Sequence, residues 1–299
     1  MTIEHQCQSA PGEAAQNFGR AFAIGVALNL LYAIVQVAFG IFGHSLALLA
    51  DAGHNLGDVL GLVLAWCASY LVRRPSTTRR TYGWRRTSIM AALLNAVFLL
   101  VVVGAITWEA LRRFAHQEIV DPNIVMTVAA GGVIINGVTA WLFMAGRKRD
   151  LNIRGAFMHM AADAAISAGV VVAGLGIRFT GWTWLDPATS LVINVVIVIG
   201  TWGLLRESLN LALDAVPAGV DLVAVKKYLA GLPDVSAVHD LHIWAMSTTE
   251  IALTAHLVMP NLSSDDFFLH HVCQHLQSAF GIEHATIQIE QNAEACSLA

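Results

Sequence analysis

The sequence predicts an α-helical membrane protein with six transmembrane helices, followed by a small cytoplasmic α+β domain with a ferredoxin-like fold. First, 56% of the 299 residues are hydrophobic and only 13% are charged, whereas about a quarter of the residues of a soluble domain are charged. Second, apolar stretches of about 20 residues recur along the first two thirds of the chain. Third, the composition becomes that of a soluble domain from about Glu207.

The apolar stretches are each long enough to cross a bilayer as a helix. They lie near residues 19–43, 45–71, 88–113, 122–145, 152–177 and 183–205. The first is preceded by a polar segment and is not followed by a small-residue cleavage pattern, so we expect a retained helix rather than a signal peptide. We therefore predict a cytoplasmic N-terminal tail (1–18), a transmembrane domain (19–206) and a cytoplasmic domain (207–299).

The basic residues of the linkers predict the orientation of the chain. The linkers after the second and fourth spans hold ten of them: Arg73, Arg74, Arg79, Arg80, Arg85, Arg86, Arg147, Lys148, Arg149 and Arg154. The loops on the other side hold three: Arg112, Arg113 and Arg178. Because basic residues concentrate in cytoplasmic loops, both termini are predicted to be cytoplasmic.

The C-terminal region has the pattern of a small folded domain in the order αββαβ. Two segments have the pattern of helices: the amphipathic "DLVAVKKYLAGL", and "SSDDFFLHHVCQHLQSAFG", which starts with capping residues. Three have the pattern of strands: "VSAVHDLHIWAM" and "IALTAHLVM", which alternate, and the final "HATIQIE". This order predicts helices packed on one face of a sheet, as in a ferredoxin-like fold without its first strand.

Ionisable residues recur at helical spacing inside two of the spans, where such residues are costly and usually functional. The second span carries Asp51, His54 and Asp58, and the fifth carries His159 and Asp163. In each span one histidine and one aspartate are four residues apart and share a helix face. One such pair could be an internal ion pair that fills a packing gap. Two identical pairs favour a tetrahedral Zn²⁺ site with two nitrogen and two oxygen ligands.

Two points about this site stay open at the level of the sequence. Asp51 could orient His54 from outside the ligand set or could bind the metal directly. The rise of a helix per residue also places the two pairs about 10 Å apart along the membrane normal. Helix tilt, or a span that projects beyond the lipid, would close this gap.

The motifs "HSLALLADAGHNLGD", "YGWRR" and "HDLHIW", together with the two HxxxD pairs, resemble those of the cation diffusion facilitator family along nearly the whole chain. The resemblance implies a homodimeric, proton-coupled exporter of divalent cations in contact with membrane lipid. It implies that His54, Asp58, His159 and Asp163 form the transport site. The likeness is to bacterial zinc/cobalt/cadmium-resistance members, which implies the bacterial inner membrane.

The family also has cytoplasmic metal positions, and these correspond to His239, His256 and Glu290. Other residues are open candidates to complete or extend such a site: His5, Cys7, His271, His275 and Cys296. His242 is a candidate for packing beneath the sheet, since Trp244 shares its strand face.

The sequence departs from the family pattern at two positions. Arg85 of "YGWRR" stands where many relatives have a histidine that contributes to a metal site in the linker. Arginine cannot bind a cation, so we expect this linker site to be absent. His44 stands where the family usually has glycine, and it is either an exposed loop histidine or a contact for protons or metal at the entrance.

The residues therefore favour a transporter over an enzyme or a sensor. Zn²⁺ is the expected cargo, with Cd²⁺ and Co²⁺ as secondary cargo, because imidazole favours borderline metals and hard cations prefer oxygen alone. An intramembrane metallohydrolase is disfavoured because there is no HExxH motif and four protein ligands leave no position for water. A metal sensor would not need charges at bilayer depth. The small net charge of −4 gives no reason to expect a nucleic-acid partner.

Overall fold

The computed structural model describes the backbone of residues 14–72, 74–144, 151–260 and 266–292. It describes their side chains except those of 14–26, 69, 142–143, 151–156 and 266. Eight helices and three strands lie in these ranges. The helices are α1 (Ala14–Phe42), α2 (Leu46–Val72), α3 (Thr87–Ala115), α4 (Pro122–Met144), α5 (Leu151–Thr180), α6 (Leu185–Ala212), α7 (Leu222–Ala230) and α8 (Asp266–Phe280). The strands are β1 (Ala237–Ala245), β2 (Ile251–Val258) and β3 (His284–Glu290).

The predicted fold class is confirmed. Five of the described helices, α2 to α6, are long and apolar enough to cross a membrane. The apolar part of α1 that is described in full, Ala27–Phe42, is shorter. The order αββαβ also appears as predicted after α6. The chain is therefore a multi-pass membrane protein with a small α+β domain at its C-terminal end.

The described residues form two compact units. The first comprises the residues up to Leu62 and Leu99–Val198, and the second comprises Val63–Phe98 and the residues from Ile199 onward. Small and β-branched side chains fill the core of the first unit, which lets its helices approach closely. This core contains Ala47, Leu48, Ala50, Val103, Val120, Val125, Ala129, Val170, Ile177, Ile193 and Ile197.

A carboxylate from α6 caps the beginning of α2. Asp186 is 1% exposed and accepts hydrogen bonds from Ser45 Oγ (2.5 Å), Leu46 N (2.6 Å) and Ala47 N (3.3 Å). The first N–H groups of a helix have no partner within it, and an anion there also interacts favourably with the helix dipole. Asp186 thus fixes the beginning of α2. The local sequence pattern gives no sign of this contact.

The C-terminal domain packs helices on one sheet. The strand order is β1-β2-β3, with β1 and β2 antiparallel and β2 and β3 parallel. Asp221 caps α7 by accepting hydrogen bonds from the N–H groups of Val223 and Ala224. Leu229, Leu253 and Leu276, from α7, β2 and α8, have no exposed surface and form the centre of the core. The face of the sheet that is not covered by this core is available for polar residues.

We predict that Asp186→Ala destabilises the membrane domain. The change leaves Ser45 and the first N–H groups of α2 buried without their acceptor, which costs about 1–3 kcal/mol of the free energy of unfolding. Asp121→Ala is a matched control, because Asp121 caps α4 at an exposed position and its loss costs about 1 kcal/mol or less. Thermal unfolding of the detergent-solubilised variants measures the difference. Equal midpoints for the two variants would contradict the capping role.

Candidate metal centres

The two predicted His–Asp pairs meet within the first compact unit. His54 Nε2 of α2 lies 3.2 Å from Asp163 Oδ1 of α5, and His159 Nε2 of α5 lies 3.3 Å from Asp58 Oδ2 of α2. Within each helix the histidine and the aspartate are 3.6 Å apart at their nearest polar atoms. Each imidazole therefore faces both carboxylates, one from its own helix and one from the other.

Three of the four groups already have the spacing of metal ligands. His54, Asp58 and Asp163 each offer one ligand atom, and these atoms all lie within 4.8 Å of one another. The His159 side chain is 43% exposed, and its ring lies 6.0 Å from the His54 ring, centroid to centroid. The His159 nitrogen is thus at the edge of the set and contacts both carboxylates. The four groups have the donor types of a tetrahedral Zn²⁺ site.

The offset of about 10 Å expected from helix rise is not found. The reason is the length of α5, which spans 30 residues and is therefore about 45 Å long. This exceeds the roughly 30 Å of the hydrocarbon core, so the distance of His159 from the helix end does not give its depth. The contacts with α2 set the position of α5 instead.

Asp51 accepts hydrogen bonds from side chains of two other helices. Its Oδ2 accepts hydrogen bonds from Gln36 Nε2 of α1 (2.5 Å) and from Ser167 Oγ of α5 (3.3 Å). Gln36 Oε1 in turn accepts a hydrogen bond from Asn55 Nδ2 (2.8 Å). These polar side chains are all buried. Because Gln36 and Ser167 lie on separate helices, neither could be matched with Asp51 from its spacing along the chain.

A second cluster lies on the sheet of the C-terminal domain. His239 Nε2 of β1 is 3.0 Å from Glu290 Oε2 of β3, and His256 Nδ1 of β2 is 2.9 Å from Glu290 Oε1. His239 and His256 are directly opposed across the antiparallel pair of strands. The ligand atoms of all three residues lie within 4.8 Å of one another. Two imidazoles and a carboxylate at this spacing suit a borderline divalent cation.

An irregularity in β1 brings a further carboxylate to this cluster. The register between β1 and β2 shifts between His239 and His242, and Asp240 has a left-handed φ of 49°. Asp240 Oδ2 then lies 3.5 Å from His256 Nε2, the nitrogen that does not face Glu290. Asp240 Oδ1 also pairs with His242 Nε2 at 2.8 Å, and this hydrogen bond lowers the pKa of the Asp240 carboxyl. Asp240 can therefore orient the His256 ring.

The other candidate histidines do not join the two clusters. His242 is exposed and pairs with Asp240, so the interpretation that it packs beneath the sheet was wrong. His275 stacks on Tyr228 at 4.2 Å between ring centroids, and His271 contacts Phe267. His44 is exposed and lies 3.6 Å from Glu118. The predicted candidates His5, Cys7 and Cys296 lie outside the described residues.

Arg85 of the linker pairs with a carboxylate. Its Nη1 lies 3.2 Å from Glu250 Oε2. The guanidinium therefore supplies a positive charge to this carboxylate, and the absence of a metal site in the linker stays a prediction.

Comparison with known proteins identifies the family. Residues 22–211 match the model of the cation efflux transmembrane domain, and residues 217–292 match that of the cation efflux protein cytoplasmic domain. The chain belongs to the cation diffusion facilitator family. The first match covers more than half of the chain, and the boundary between the two lies just after α6.

Three relatives within the cation diffusion facilitator family cover most of the chain. The metal cation efflux system protein CzcD of Cupriavidus metallidurans is 36% identical over 91% of this chain and 86% of its own length. The zinc transporter ZitB of Escherichia coli is 35% identical over 90% of this chain and 86% of its own. The cadmium, cobalt and zinc/H⁺–K⁺ antiporter of Bacillus subtilis is 32% identical over 88% and 86%. The chain is thus a transporter rather than an enzyme.

We predict that His256→Ala weakens Zn²⁺ binding to the cytoplasmic domain about tenfold or more, since a ligand should cost at least as much as an outer-shell partner. His284→Ala is the matched control, because it removes an exposed histidine of the same sheet that does not contact the cluster, and it should change the affinity less than about threefold. Calorimetric titration of detergent-solubilised protein carrying Asp58→Ala would report the cytoplasmic site. Equal effects of the two substitutions would argue against the three-residue cluster.

Proposed function

We propose that this protein exports Zn²⁺ from the cytoplasm in exchange for protons, through a membrane site formed by His54, Asp58, His159 and Asp163. Cd²⁺ and Co²⁺ are secondary cargo. The observation that supports the proposal is the meeting of two imidazoles and two carboxylates from α2 and α5, with contacts of 3.2 and 3.3 Å between the helices. The names of the relatives, which include a zinc transporter and a zinc/H⁺–K⁺ antiporter, agree with it.

The ligand types explain why metal should exchange for protons. A metal ion binds the deprotonated forms of imidazole and carboxylate, so metal binding releases protons and protonation expels the metal. Histidine ordinarily titrates near pH 6.5, so protons compete for its nitrogen close to physiological pH. The two ions then share one site, and an inward proton gradient drives the metal outward.

The cytoplasmic cluster of His239, His256 and Glu290 has a regulatory role in this proposal. It follows the last transmembrane helix in the chain, so an ion need not pass it to reach Asp58. The acting unit is a homodimer in the bacterial inner membrane, with both termini in the cytoplasm. The match of residues 217–292 to the cytoplasmic domain of cation efflux proteins supports this assembly by family likeness.

Transport by the purified protein in liposomes tests the proposal. A pH-sensitive dye inside the liposomes reports protons, and a zinc-sensitive dye reports the metal. We expect Zn²⁺ to move in one direction and protons in the other, and Asp58→Ala to abolish both movements because it removes a shared ligand.

Asp121→Ala is the control, because Asp121 is an exposed aspartate of the same domain and its loss should leave both fluxes intact. Zinc flux retained in Asp58→Ala would refute the assignment of the site. Zinc flux in the wild-type protein without proton counterflow would refute antiport and leave a facilitated channel as the description.

A further inference from the structure

A group of buried polar side chains lies one helical turn from the proposed transport site. Asp51 precedes His54 by three residues on α2, and Ser167 follows Asp163 by four residues on α5, which are rises of about 5 and 6 Å. Asp51 contacts Ser167, and His54 contacts Asp163, so the two helices run in opposite directions. Both displacements therefore point toward the end where α2 begins, which the predicted orientation places outside the cell.

One carboxylate oxygen of Asp51 accepts no hydrogen bond from the described residues. The residue is 1% exposed, and its Oδ2 accepts the hydrogen bonds from Gln36 and Ser167. Its Oδ1 is buried and has no hydrogen-bond partner among the described residues. An isolated carboxylate in a medium of low dielectric constant is strongly unfavourable unless a positive charge accompanies it. A cation bound beside the free oxygen would supply this charge.

Two hydroxyl groups, those of Ser167 and Tyr32, belong to the same buried polar group. A methyl group at Gly132 would overlap the Tyr32 hydroxyl and would approach Ser167 Oγ within 2.7 Å, so both hydroxyls converge where Gly132 has no side chain. Gln36 links the group to Asn55. The oxygens available to a cation are thus those of the Asp51 carboxylate and of the two hydroxyls, without imidazole. Such oxygen donors hold Zn²⁺ or Cd²⁺ less tightly than a site that contains imidazole.

We propose that Asp51 and Ser167 form a second, weaker binding position for the transported divalent cation, on the exit side of the transport site. An ion that leaves the imidazole-containing set reaches a site that binds it less tightly, as release requires. This inference rests on the proposed function. Asp51 would contact the ion after it leaves the transport site. The four ligands of the transport site itself are unchanged.

The test uses the full-length protein with His239→Ala and His256→Ala, so that only the membrane domain binds metal. Calorimetric titration with Zn²⁺ should show a tight and a weak binding event. Asp51→Asn preserves the shape of the side chain but removes its charge, and it should eliminate the weak event while changing the affinity of the tight one less than about threefold. The maximal transport rate should fall about tenfold or more with little change in KM, because the loss affects turnover rather than initial binding.

The tight event serves as the check on folding, and Thr127→Val is the control for loss of a polar group. Thr127 is exposed on α4 and donates a hydrogen bond to the backbone of its own helix, so both events should persist in that variant. A single event in the starting protein would overturn the proposal. An Asp51→Asn variant that weakens the tight event would also overturn it. So would an Asp51→Asn variant that keeps the weak event but releases one proton fewer when Zn²⁺ binds, because Asp51 would then carry a proton rather than the metal. Loss of the tight event in Asp58→Ala tests the transport site separately.

Discussion

The cost of placing carboxylates inside a bilayer constrains the membrane domain more than any other interaction. Asp51, Asp58 and Asp163 lie on helices that are otherwise almost entirely apolar, and an isolated charge there is disfavoured by several kcal/mol. The fold meets this constraint by bringing the acids together with imidazoles, amides and hydroxyls from other helices. The same physical constraint would favour both these helix contacts and the binding of a cation.

The two candidate metal sites combine the same donor types, but one stands on helices and the other on a sheet. In the membrane, the spacing of four residues along α2 and α5 presents His54 with Asp58 and His159 with Asp163 on single helix faces. In the C-terminal domain, cross-strand neighbours supply His239 and His256, and β3 supplies Glu290. Imidazole with carboxylate suits borderline cations in both places. The membrane cluster draws on only two helices, so motion of one helix against the other would change its geometry.

Hydropathy and periodicity were sufficient to predict the helices, the strands and the paired His–Asp residues, because these features repeat within one element. Contacts between elements were not predictable in this way. The capping of α2 by Asp186 joins residues about 140 positions apart, and the pairing of Asp51 with Gln36 depends on how α1 and α2 are rotated about their axes. Gln36 is one of several polar residues scattered along a mostly apolar helix, and nothing in its local pattern indicates its partner.

In the proposed mechanism, α2 and α5 together form one metal site with two nitrogen and two oxygen ligands. X-ray absorption at the zinc edge, on protein with His239→Ala and His256→Ala, measures this coordination directly. The account predicts four light ligands at about 2.0 Å with the scattering pattern of two imidazole rings, and removal of one ring pattern by His54→Ala. Sulfur ligands at about 2.3 Å, or a spectrum without imidazole, would contradict it.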